Sequence, residues 1–139
     1  MAMTDYSNIE NEIADSQDPT ILPRGSEVKA RIISVNDGVS DKNGAQWYMP
    51  AFDVPNDPLV MEFRDFFWEL ADKEKLDDKS FQRGLRKFKL FAEAFGLDYS
   101  QPFDWVDDLI GLEGWVLLGI KKSDEYGEQN TIQKYVVGQ

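Results

Sequence analysis

The residues best equipped for chemistry in this chain are flat rings and cations. Trp47, Tyr48 and Phe52 crowd one short run directly behind the polar stretch "NDGVSDKNG". A ring on a strand either packs into the core or faces outward, where it can stack on something flat. If Phe52 and Val54 point inward, strand alternation sends Trp47 outward. Lys29 and Arg31 then lie on the outward face of the preceding strand, with Lys42 in the loop between and Arg64 on the strand that follows. A second basic and aromatic set, Lys121, Lys122, Tyr126 and Lys134, stands near the C-terminus. Rings that stack on bases, ringed by cations that hold phosphates, are what a single-stranded nucleic acid needs from a protein surface. The same residue types also suit an ordinary half-exposed strand with rings at its rim. Trp115, inside the apolar run "GWVLLGI", is expected in the core.

Other chemistries are removed by what is missing. The 139 residues contain no cysteine and no histidine, so thiolate metal sites, disulfides, cysteine nucleophiles and His-based triads are excluded. Lys79-Ser80 and Lys122-Ser123 lack the glycines of a phosphate-binding loop. Asp41, Asn43 and Gly44 fail the calcium-loop spacing, because the glycine comes too early. Asp57 with Glu62-Phe63-Arg64 has an acid, acid-x-base pattern, but arginine is a poor substitute for the lysine of a metal-dependent nuclease. The expectation is a non-catalytic protein without cofactor or metal. Without a signal-like N-terminus or a long apolar run, a soluble protein of the cytoplasm is expected, with no membrane partner.

The net charge is −11, which opposes phosphate binding on its face. Its distribution changes the reading. Residues 1–23 hold five acids and no base, and residues 96–113 again five acids and no base. Residues 79–95 carry five bases against Glu93 alone. Segregation of this kind lets a basic surface coexist with an acidic whole.

The elements that must position these groups follow from periodicity. Residues 1–23 are polar and acidic and read as a flexible arm, either solubilising or partner-binding; residues 24–139 read as one domain. Period-two alternation starts at Glu27, and its phase slips at Ile33 and Val35, which predicts a bulge or strong bend in a long first strand. A loop is expected from Asn36 to the "NGA" turn, then a second strand over 46–54 with Tyr48, Phe52 and Val54 facing the core. Pro50 inside it points to an edge or a bulge. A third strand is expected over 59–65, and a short helix within "FFWELADKEK". In "DDKSFQRGLRKFKLFAEAFG", Phe81, Leu85, Phe88, Ala92 and Phe95 form one helical stripe, with Lys79, Arg83, Arg86 and Lys87 on the solvated face. An aspartate or Ser80 caps its start and Gly96 its end. Two strands close the chain, over 115–121 and 130–137. Three strands, a helix and two strands is the order of a mainly β, five-stranded oligonucleotide/oligosaccharide-binding (OB-fold) Greek-key barrel with its helix between strands three and four. An α+β sandwich shares that order.

The succession "RGSEVKARIISV", "KNGAQWYMPAFDV", "LFAEAFGLD" and "DDLIGLEGWVLLGIKKSDEYGEQNTIQKYV" resembles small bacteriophage single-stranded-DNA-binding proteins with this barrel, over about residues 24–137. The resemblance implies sequence-independent binding of single-stranded DNA in phage replication or recombination, beside the enzymes of those processes and in the host cytoplasm. It leaves homo-oligomerisation open. Many single-stranded-DNA-binding proteins recruit partners through an acidic C-terminal tail, whereas this chain ends "IQKYVVGQ" and carries acids first. The N-terminal arm is the candidate substitute. The net charge supports a second reading: an acidic protein-interaction module that mimics DNA or inhibits a host factor.

Overall fold

A computed structural model describes residues 2–138. Its frame is a mainly β, antiparallel sheet of β1 (Glu27–Val39), β2 (Gln46–Asp53), β3 (Phe63–Arg64), β4 (Phe67–Trp68), β5 (Glu113–Ser123) and β6 (Gly127–Val136). The order across the sheet is β3-β2-β1-β5-β6, with β4 also on β2. β1 sits centrally because its two halves pair differently, Glu27 to Arg31 with β5 and Arg31 to Val39 with β2.

The expected phase slip is a bulge. Ile32 pairs with Phe52 and Ser34 with Ala51, so Ile33 has no partner on β2. The outward face of β1 therefore changes from Lys29 and Arg31 to Ser34, Asn36 and Gly38, because one extra residue inverts the alternation. β1 also runs on through Asn36, Asp37 and Gly38, where a loop was expected. Those residues pair with Met49, Tyr48 and Trp47, and the loop shrinks to residues 40–45. Pro50 lies inside a paired strand opposite Val35, close to the β1 bulge, and its carbonyl accepts from Asp65 N at 3.2 Å.

The expected third strand over 59–65 is corrected to two short strands, giving six in place of five among the described residues. Residues 59–61 are occupied elsewhere: Thr20 N donates to Leu59 O and Met61 N to Thr20 O, both at 2.7 Å. Pairing with β2 begins only at Phe63 and resumes at Phe67–Trp68. The short helix expected here is a 3-10 segment, Leu70–Lys75, and begins only after those rings.

α2 spans Asp78–Phe95, capped by the Asp77 carboxylate on Ser80 N and ended by Gly96 in the left-handed region, φ 70°. (A shorter helix, α1, spans Glu10–Ala14 in the N-terminal arm.) Two expectations for α2 change. Leu85 is 41 % exposed, and Phe91, absent from the expected stripe, is fully buried. Only the C-terminal half of the helix lies deep against the sheet, where a Cβ on Gly114 would come within 2.6 Å of Ala94 O. Lys87 is not simply solvated. Its Nζ contacts Asp65 Oδ1 at 2.6 Å and stands 4.6 Å from the centre of the Phe67 ring.

The core joins Ile32, Phe52, Phe63 and Phe67 from one half of the sheet, Val116, Leu118 and Tyr135 from the other, and Phe91, Phe95, Trp105 and Leu109. The last residues of the N-terminal arm join this frame. The buried Asn130 amide accepts from Leu22 N at 2.8 Å and donates to Leu22 O and Gly119 O. Residues 2–20 are exposed throughout. Among the described residues no helix is long and apolar enough to cross a membrane.

Candidate nucleic-acid interface

Across the outward face of β1, β2 and β4, Gly38 pairs with Trp47 and Trp47 with Trp68. Directly opposed residues share a face, so the two indoles stand side by side. Phe66 completes the group, 5.9 Å from Trp47 and edge-on to Trp68 at 4.9 Å between ring centres. All three rings are half-buried. Gly38 makes room for them: a Cβ there would lie 2.8 Å from Trp47 Cε2. The alternate residues go inward. Tyr48 stacks on Trp105 at 4.8 Å and donates its hydroxyl to Glu69 at 3.1 Å, while Phe67 is buried. Burial, followed by the Glu69 charge, pushes the Tyr48 phenol up to about 12.

The backbone beneath Phe66 is held at two points. Its N–H donates to Asp65 Oδ1 at 2.7 Å, and its carbonyl accepts from Lys87 Nζ. The second Asp65 oxygen accepts from Tyr135 OH, so one carboxylate links strand three, α2 and β6. Buried Tyr135 is raised well above the ordinary phenol value, by burial first and then by the Asp65 charge.

The expected cations fall into separate groups. Arg64, opposite Ala51 on β3, is exposed two residues before Phe66, and Lys42 is exposed in the loop after β1. Arg64 is thus on the strand and Lys42 in the loop that adjoin β2, which carries Trp47. Lys29 and Arg31 face outward as expected, but each has an acid beside it: Lys29 stands 3.7 Å from Glu113, and Arg31 grips Asp53 with two bonds of 3.1 and 2.7 Å. Lys121, Lys122 and Tyr126 are exposed on the β5–β6 hairpin, Tyr126 at 67 %. Strand register puts that hairpin beyond the N-terminal end of β1, with Lys42 beyond its C-terminal end. Lys134 is exposed on β6, opposite Leu117, and lines a groove between that strand and α2.

No protein-family model matches this chain, and no curated protein matches it.

Trp115 is corrected from core to surface. It is 36 % exposed on β5, between Lys29 and Val136, because Gly114, Val116 and Leu118 take the inward positions. Phe66 and Trp68 were missed by the sequence reading. Their signal lay in "FRDFFW", where Phe63, Asp65 and Phe67 alternate with Arg64, Phe66 and Trp68; assigning its latter half to a helix hid that period. Among the described residues no cluster of three or more acidic side chains is placed to hold a metal ion. The three rings offer apolar faces, with Arg64 exposed on the adjoining strand and Lys42 in the adjoining loop. Each base stacked on such a ring contributes about 1–3 kcal/mol, whatever its identity.

Proposed function

We propose that this protein is a non-catalytic, sequence-independent single-stranded-DNA-binding protein built on an OB-fold barrel, serving bacteriophage replication or recombination. The observation that carries the reading is the outward ring group of Trp47, Phe66 and Trp68, with the exposed cations Arg64 and Lys42 on the adjoining strand and loop. Bases stack on the rings while the cations hold the backbone. Support for the barrel comes from the two ends of the sheet: Tyr135 of β6 bonds Asp65 beyond β3, and the segment carrying Thr20 and Leu22 bonds both Leu59 and Asn130. A sheet whose two edge strands, here β3 and β6, approach each other in this way leaves little exposed edge. Strand order and the bulged, shared β1 fit the same architecture.

Titration of tryptophan fluorescence with oligo-dT tests the proposal. Quenching with affinity that falls as salt rises is expected, and Phe66→Ala or Trp68→Ala should weaken it by about 1–3 kcal/mol. An unchanged spectrum at micromolar protein and low salt overturns it. That result would favour the acidic interaction module, for which the net charge of −11 speaks, and which predicts a basic protein partner instead.

A further inference from the structure

Between α2 and β6 lies a groove of about 560 Å³. Its floor includes Leu90 and Ile132, and its rim carries Arg83, Arg86 and Lys134. The acid among its lining residues, Asp65, is already bonded to Lys87 and Tyr135. The rim is therefore cationic in an otherwise acidic protein, and the floor is apolar. A fitting ligand would be acidic with an apolar stripe.

The chain itself contains such a segment. Residues 7–14 are helical, formed by Ser7–Ile9 and Glu10–Ala14. Tyr6, Ile9 and Ile13 follow one another at spacings of three and four, which places them on one face. They are 60, 37 and 51 % exposed, so this apolar face is uncovered. Asp5, Glu10, Glu12, Asp15 and Asp18 supply five negative charges in the arm, with no base. The arm and the groove are complementary in both charge and polarity.

Chain direction indicates whose arm fills the groove. Thr20 bridges Val60 in parallel. The chain before Thr20 therefore leaves toward Pro58, whereas the groove lies on the other side of Val60, at Asp65 and Tyr135. An arm docking on its own body would have to reverse within residues 15–19. A second copy's arm meets no such constraint.

We infer that the α2–β6 groove docks the acidic amphipathic arm of a second copy of this chain. The contact is an ion-steered, apolar-floored association, separate from the outward ring group and independent of the function proposed above. Salt weakens it, because its rim charges are exposed.

Sedimentation velocity on the full chain, over a wide concentration range at low salt, tests the inference. Wild type should associate as concentration rises. Arg83→Glu with Arg86→Glu should associate roughly tenfold or more weakly, and so should Glu10→Arg with Glu12→Arg, since exposed charge reversals act on association and leave the core intact. Mixing the groove-reversed and arm-reversed chains should restore association, because each then supplies a complementary surface. A wild type that stays monomeric overturns the inference, as does association that neither reversal weakens. Circular dichroism of each variant checks that it is folded.

Discussion

Trp47 owes its position to a residue without a side chain. The indole lies over Gly38, its cross-strand partner, and packs near Phe66 in the link between β3 and β4. Gly38→Ala is expected to lever the ring away from the sheet. Since the indole is only half-buried, it can swing toward water, and the stability cost should stay near the low end of the overpacking range, about 1 kcal/mol. Acrylamide quenching should increase and oligo-dT affinity should fall. Unchanged quenching would mean that the ring does not rest on Gly38. Arg31 shows the opposite situation at the same scale. Its guanidinium is engaged by Asp53, so a residue type suited to phosphate is already neutralised.

α2 organises the molecule through Lys87 as well as through its apolar stripe. Lys87, Asp65 and Tyr135 join the helix to strand three and β6, and the same bonds fix the backbone of Phe66. The phenol of Tyr135 is buried and held well above its ordinary value. An unfolded tyrosine titrates near about 10, so above that pH the folded chain retains a proton that the unfolded chain has lost. Its contribution is complete below about pH 10 and declines as pH rises toward the folded value. Tyr48, pushed up to about 12, acts in the same direction. Tyr135→Phe should lower stability at neutral pH by about 1–2 kcal/mol through the lost hydrogen bond. It should also shallow the alkaline decline. Urea unfolding from about pH 7 to about pH 11 measures both, and an unaltered alkaline slope would remove Tyr135 as its source.

For the whole molecule, the quantity that decides the salt dependence of the proposed binding is how many cations can release counterions. Seven were expected at phosphates: Lys29, Arg31, Lys42, Arg64, Lys121, Lys122 and Lys134. Lys29 and Arg31 face Glu113 and Asp53, and seven less two leaves five. Single-strand binding should therefore show a slope of log K against log salt no steeper than about −3.5, at about −0.7 for each phosphate neutralised. A slope near about −5 would mean that Lys29 and Arg31 exchange their acids for phosphates. For the proposed binding, the negative surround favours a mode led by stacking, because rings do not require a positive field.

The sequence by itself determined the elements whose signals are local. The bulge in β1, the capped helix and the outward turn of Trp47 were legible in the phase slip at Ile33, in Asp77 and Gly96, and in the alternation around Phe52. These depend on neighbours a few residues away. The sequence also carried the charge segregation between the acidic arm and the basic α2. Only the tertiary structure decided which outward groups meet. Phe66 and Trp68 join Trp47 because β4 pairs with β2, and Trp115 turns outward because its neighbours Gly114, Val116 and Leu118 face the helix and core. Lys87 becomes a tie because Asp65 arrives from a different strand. Such contacts join residues far apart in the chain, and no period or turn signal along the chain encodes their meeting.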